Sequence, residues 1–453
     1  MQPRHRRLAA SVAAAALLAG AAACSSSGSG GSGAPGGTSA NTAPSGFKAG
    51  VLDRAYAGQT ISVLLPPWGD MAQSQLAKFT AATGIKVNLQ QMAWDSIHDK
   101  VVSAEAAGVA PADVTEVDWS WVGQFGAAGW YAPLNDLLPK SLISGSPVAS
   151  NFSVNGQQIA MPYNIDFRGM SVNMTLLKKA GITTPPATWA DLLTDAKQIK
   201  AKGVLANPVG IPLSVTEGTS TPWYALIKSA GGSLLNSSGD PAFSSAGSAG
   251  AQALGFEASL YKDGLIPAGE VNLTDQQTSS LFASGQVAIE LSYSPSALGG
   301  YLTPSTSKVA KDDIEFAPIP GTDGTKTGTF GLPEGLGIPK QSSHQGAAAM
   351  FIYWWEQLPQ LLASYDNPNM GNLPPLTSAL SYLNSKGKLV LGSDVMAILP
   401  SVSPLFEGGA PVWYPQFSTD VATMIQNVVE GKASAASALS QLASQAQSLK
   451  VQS

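Results

Sequence analysis

Aromatic rings and carboxylates crowd the ends of the apolar runs in this chain. Trp68 and Asp70 follow Pro66-Pro67 after an apolar run over 59–65, and Asp118, Trp119 and Trp121 follow a run over 113–117. Tyr163, Asp166 and Arg168 lie just past Pro162, while Glu217, Trp223 and Tyr224 share one loop-like stretch. Tyr293 follows the run 287–291, Glu334 sits in Gly331-Leu332-Pro333-Glu334-Gly335, and Trp413 and Tyr414 lie between Pro411 and Pro415. A ring of this kind offers a flat apolar face to the C–H face of a sugar, and carboxylates and amides hydrogen-bond its hydroxyls. A polyamine site would pair the same two residue types. For each aromatic the plainer alternative is a loop anchor. For each carboxylate it is a solvated charge, the better reading for Asp70 and Glu217. Arg168 could also pair with Asp166 in an internal salt bridge. Trp189, Trp354 and Trp355 fall inside or at the start of helical patterns and read as core.

Groups that would do covalent chemistry are scarce. The single cysteine, Cys24, lies beside a Gly/Ser stretch, and neither GxSxG nor HExxH occurs. One cysteine allows no intrachain disulfide and no cysteine zinc site, and His98 and His344 are the only histidines beyond His5. No metal and no cofactor is expected. A glycosidase needs only two carboxylates, so that chemistry stays open as the less favoured alternative.

The chain has 453 residues, 44% of them hydrophobic and 12% charged, with a net charge of −5. That length exceeds what one core usually serves and predicts two lobes. With no basic block beyond the first residues, nucleic acid and anionic membrane surfaces are poor partners. Residues 1–23 read as a secretory signal peptide: a basic start, Arg4-His5-Arg6-Arg7, then an Ala/Leu run too short to span a bilayer. Ala21-Ala22-Ala23-Cys24 resembles a bacterial lipobox, with Ala21 where Leu is usual. Cys24 is then the lipid attachment point and 24–50 a Gly/Ser-rich tether. Gly28, Gly30 and Gly33 spell GxGxxG with no strand before and no helix after, which is compositional noise.

Past the tether, strand patterns at 59–65, 85–89 and 113–117 alternate with helical patterns at 72–83 and 97–107. That alternation predicts a parallel α/β sheet with a ligand crevice outside the strands' carboxyl ends, where Trp68 and Asp118 to Trp121 fall. The stretch 155–182, NGQQIAMPYNIDFRGMSVNMTLLKKAGI, reads strand, breaker, polar and aromatic segment, strand, short helix, as a crossing between two bodies should. Thr188 with Asp191 predicts a capped helix start.

These segments resemble, in order, those of the extracellular solute-binding proteins that serve sugar importers, the maltose-binding class. The match includes 155–182, Pro185-Pro186 with Thr188, Trp189 and Leu192, the segment 281–289, the returning strands 314–320 and 329–339, and the helix 345–357. The resemblance covers about 59–450. It implies an α/β, two-lobed periplasmic-binding-protein-like fold, each lobe a mixed, mostly parallel sheet flanked by helices, with a hinge between. Lobe 1 is expected over 51–162 and 294–357, and lobe 2 over 163–293 and 358–453. It implies a non-enzymatic monomer, anchored outside the cell only through its lipid, that binds a carbohydrate and delivers it to the permease subunits of an ABC transporter. Another polar solute, a polyamine or a peptide, is the alternative. The ligand-binding residues so implied are Trp68, Asp118, Trp119, Trp121, Tyr163, Asp166, Arg168, Trp223, Tyr224, Tyr293, Glu334 and Trp413. Trp413 is expected to stack on the ring, with Asp118, Trp119, Asp166 and Trp223 as its partners.

Overall fold

In the computed structural model, residues 48–293, 307–367, 372–406 and 409–452 are described. The leader, Cys24 and nearly all of the tether lie outside the described residues. Three strands open the fold: β1 (Thr60–Leu65), β2 (Lys86–Gln91) and β3 (Val114–Asp118). β1 pairs in parallel with both others, Ile61 opposite Val87 and Val63 opposite Val114. Helices Gln73–Thr83 and Trp94–Ala106 make the crossovers. Ile61, Val63 and Leu65 enter one apolar cluster and Leu64 another, as period-two alternation requires of a strand covered on both faces.

A hairpin of β4 (Ser153–Val154) and β5 (Gln157–Gln158) turns through Asn155 and Gly156, both at positive φ. An Asn-Gly pair favours that turn. β6 (Ala160–Asn164) follows and runs through Pro162, where the sequence pattern predicted a stop. β6 is the edge of its sheet, where a residue without an N–H is tolerated.

The second sheet collects β7 (Gly169–Asn173), β8 (Val209–Gly210), β9 (Ile289–Tyr293) and β10 (Ile314–Ala317), ordered β10-β7-β9-β8. A small pair, β11 (Ile319–Pro320) with β12 (Thr327–Gly328), lies beside the helix Glu217–Ser229. β13 (Glu334–Gly337) then returns to the first sheet, between β3 and β6, antiparallel to both, giving the order β2-β1-β3-β13-β6. Gly337 permits this insertion, since a Cβ there would lie 2.6 Å from both Tyr131 and Val117.

Each sheet carries its own apolar core. Phe79, Phe351, Trp354 and Trp355 pack on the first. Met170 and Val172 of β7 pack with helices Trp189–Ala201, Glu217–Ser229, Ala249–Lys262, Tyr414–Val429 and Ala435–Gln452 on the second. Thr188 caps Trp189–Ala201 by accepting from the Asp191 N–H, the start expected from sequence.

Two expected lobe boundaries need correcting. Not all of 294–357 lies with lobe 1: β10 pairs with β7, Ile314 opposite Asn173, so 314–317 belongs to the second sheet. The return comes at 329–334, where Gly331 bridges Phe167 and the Leu332 N–H reaches the Asp166 carbonyl at 2.7 Å. Nor does 358–453 lie wholly with lobe 2. Helices Leu358–Tyr365 and Thr377–Ser385 place Leu361 and Ala379 in the first core. A short apolar run near a crossing fits either core, and pairing partners settle which.

Phe79 is fully buried, its ring 5.4 Å from Phe351 and 5.2 Å from Trp354. Phe79→Ala is expected to cost about 3–5 kcal/mol, read as a lowered urea midpoint at unchanged slope.

Candidate functional site

Because β13 lies between β3 and β6, Glu334 stands opposite Asp118 on one side and Asn164 on the other. Glu116, two residues before Asp118, shares its face of β3. Glu116, Asp118 and Glu334 each offer a carboxylate oxygen within 4.8 Å of the others'. Donors hold this cluster from several elements. Tyr163 Oη lies 2.9 Å from Glu116 Oε2 and 3.0 Å from Glu334 Oε2. Trp68 Nε1 donates to Glu334 Oε2 at 2.7 Å, and Asn164 Nδ2 lies 3.3 Å from it. The Ser120 N–H and hydroxyl both donate to Asp118 Oδ1, at 2.8 and 2.5 Å. The Trp94 indole also bonds Asp118.

Burial governs the protonation of these acids. It pushes Glu334 up to about 8, aided by the charges of Asp118 and Asp166 and opposed by Asn164 and Trp68. It lifts Asp118 to about 7 against the bonds from Ser120. Glu116 stands well above the ordinary carboxylate range, raised by burial and then by Glu334 and Asp118. The phenol of Tyr163 has one proton for two carboxylates, so a second proton shared among these groups relieves the cluster.

The second lobe faces this cluster. Trp119, at the end of β3, leaves the first sheet and packs 5.0 Å from Tyr414 and 5.9 Å from Phe330, inside the second lobe's apolar cluster. Tyr414 and Ser418 donate to Glu217, at the start of Glu217–Ser229. Arg168 donates from Nε to Thr221 Oγ1 at 2.8 Å and lies 3.4 Å from Asp275 Oδ2. Glu217 is raised first by burial, with Arg168 pulling it down and Asp95 of the first lobe pushing it up. Asp95 is raised by burial and by Asp99, and Asp275 adds to it across the seam. The lobes meet closely at Gly123, in the helix Val122–Ala128, where a Cβ would lie 1.8 Å from the Ala410 carbonyl oxygen.

Asp118, Trp119, Glu334, Trp68, Tyr163, Asp166 and Arg168 thus come together at or beside the seam. Tyr163 is fully buried behind it and positions two carboxylates. Four other expected site residues do not present a free face. Trp121 packs in the first lobe against Trp94, His98 and Phe125. Trp223 is 0% exposed, its ring against Phe243 and its Nε1 donating to the Gly250 carbonyl, and its neighbour Tyr224 stacks on Phe417. Both lie in a helix that Pro222 enters, which is why the segment reads as a loop. Trp413 is 9% exposed and packs edge-on against Phe417. Tyr293 ends β9 opposite Gly169, and its side chain lies outside the described residues. Glu217, read as a solvated charge, is held by two buried hydroxyls. Trp94, Glu116 and Asp275 were not singled out. Glu116 had a signal in the i, i+2 spacing of Glu116 and Asp118 along a strand, whereas Trp94 and Asp275 reach the seam only through helix placement.

The family described as bacterial extracellular solute-binding protein matches residues 66–356. A putative binding protein of Brucella abortus is 26% identical over 58% of this chain, and the match spans 63% of that relative, less than two thirds of its length. The diacetylchitobiose binding protein DasA of Streptomyces coelicolor is 27% identical over 68% of this chain and 71% of its own. Among solved structures, maltose-bound MalE3 of T. maritima superposes with a TM-score of 0.77 at 22% identity, over 86% of this chain and 99% of that one. A solute-binding protein of Agrobacterium radiobacter in complex with ribitol also reaches 0.77, at 19% identity, over 87% and 99%.

The raised acids set a pH dependence. A carboxyl whose folded value exceeds its unfolded one holds its proton longer in the folded state. The stability this contributes is complete below the ordinary carboxylate range and is lost as pH rises through the folded value, about 8 for Glu334. The melting temperature of the free protein is therefore expected to fall between about pH 5 and pH 8.5, and Glu334→Gln to flatten part of that slope. Parallel slopes for parent and variant in a thermal-melt series would contradict the assignment.

Proposed function

The chain belongs to the bacterial extracellular solute-binding protein family and has the two-lobed periplasmic-binding-protein fold, and from that premise we propose that it binds a carbohydrate or polyol at the seam between its lobes and delivers it to an ABC-type permease. The observation that carries this reading is the meeting of Asp118, Trp119 and Glu334 from the first sheet with Glu217, Arg168 and Asp275 from the second lobe. Polar groups from both bodies then surround one ligand, and a ligand touching both lobes favours their closed arrangement. Trp68, half-buried beside the cluster, supplies the aromatic surface, and Asp118, Asp166, Arg168 and Glu334 the hydrogen bonds. The named ligands of the similar proteins, diacetylchitobiose, maltose and ribitol, are of this class. Turnover of the ligand is not part of this reading. The extracytoplasmic location that the family implies fits a signal peptide over 1–23 and lipid attachment at Cys24.

A thermal-shift panel of mono-, di- and oligosaccharides, polyols and spermidine tests the reading. A ligand of the native state raises the melting temperature by mass action, and Asp118→Asn is expected to weaken the responding sugar or polyol by about tenfold or more. No response to any sugar or polyol would overturn the carbohydrate assignment.

Closure has its own test in Gly123→Ala. The added methyl meets backbone rather than a flexible side chain, so the lobes must part to admit it. The variant is expected to melt within a few degrees of the parent yet to show a larger radius of gyration by solution scattering and weaker ligand binding. Superimposable scattering profiles would show that this contact does not limit closure.

A further inference from the structure

We propose that the ligand carries a primary ammonium group that docks on Glu116, Asp118 and Glu334, making it an amine-bearing carbohydrate rather than a neutral one; this rests on the solute-binding reading above. The cluster is built to present oxygens. One oxygen of each acid is anchored by donors: Glu116 Oε2 by Tyr163, Glu334 Oε2 by Tyr163, Trp68 and Asn164, and Asp118 Oδ1 by Ser120. Glu116 is 0% exposed, and its other oxygen, Oε1, is buried with no hydrogen-bond partner. An orphaned carboxylate oxygen in such a place costs free energy unless a donor reaches it.

The spacing admits such a donor. Three N–H bonds of about 2.8 Å, spread tetrahedrally from one nitrogen, end on acceptors about 4.6 Å apart. One oxygen of each acid lies no more than 4.8 Å from those of the other two, a bound that this span meets. Calcium would need about six to eight oxygen ligands, and zinc favours histidine and cysteine, neither of which is among these three acids. A neutral hydroxyl brings one donor and no charge to three acids.

The surroundings point the same way. Asp95, Glu217 and Asp275 line the seam; Arg168 among them is engaged with Thr221 and Asp275, and His98 lies beside Asp95 and Asp99. Closing the lobes on a neutral ligand leaves these acids to hold their protons or to bear like charges. A ligand cation offsets them.

Calorimetry on the full chain tests this with matched probes: glucosamine and its di- and trisaccharides against their N-acetylated counterparts, with spermidine and calcium chloride as separate arms. The amine is expected to bind at least about tenfold tighter than its acetamide, and in Glu116→Gln and Glu334→Gln that ratio is expected to fall towards one. Should Glu116→Gln fail to fold, Glu334→Gln carries the comparison. Equal or tighter binding of the acetamide overturns the ammonium site and leaves the carbohydrate reading standing. Spermidine binding that depends on Glu116 or Glu334, with no sugar bound, supports the ammonium site and overturns the carbohydrate reading. Calcium binding that Glu116→Gln abolishes makes the cluster a metal site and overturns the inference. No binding by any probe overturns both.

Discussion

Burying three carboxylates within 4.8 Å of one another is the constraint around which the site is arranged. Isolated, such charges would cost more than a domain's net stability, so neighbouring elements supply donors. Tyr163 comes from the edge strand β6, Trp68 from the turn after β1, Ser120 from the turn after β3 and Trp94 from a crossover helix. Each lies at the carboxyl end of its strand or the helix start that follows, where a mostly parallel sheet gathers polar groups. The cluster therefore depends on the whole sheet's order and not on one loop. Shifting β13 by a single residue would turn Glu334 to the other face and dissolve it.

The contact between lobes is of a different kind. Trp119 belongs by sequence to the first sheet but by packing to the second lobe's core, 5.0 Å from Tyr414. Gly123 and Ala410 touch backbone to backbone. The crossing segments 165–168 and 329–333 lie side by side, joined through Phe167 and Gly331. A hinge of paired segments can bend with little loss of its own hydrogen bonds, so the energy that decides between open and closed forms sits in the seam.

Much of the architecture was legible from periodicity and breakers. The first three strands, their crossover helices and the cap at Thr188 appear where their patterns place them. What a linear reading could not assign was membership. The run 314–317 has the same pattern whether it pairs with β7 or with the first sheet, and only its partner distinguishes the two. Position along the chain pointed to the seam where a residue closes a strand, as with Asp118 and Trp119, or falls one short of its end, as with Tyr163. It misled where an aromatic sat near proline. Pro222 does not break its helix, and Trp223 on the next position is core. Glu217 looked solvated because its partners, Tyr414 and Ser418, lie 197 and 201 residues away in the chain.

The placement of β13 also bears on how the chain is made. A polypeptide emerging amino end first presents β1, β2, β3 and β6 long before residue 334 arrives. Until then the flanks of β3 and β6 that β13 will fill remain open, and the first lobe lacks the strand that joins them. Loop closure over more than 160 residues is slow compared with local helix formation. Such a chain stays unfolded for longer during synthesis, and a loose chain is the form a narrow export channel can accept. The same delay leaves two unpaired strand edges in contact with water, so holding factors that cover them would raise the yield of folded protein.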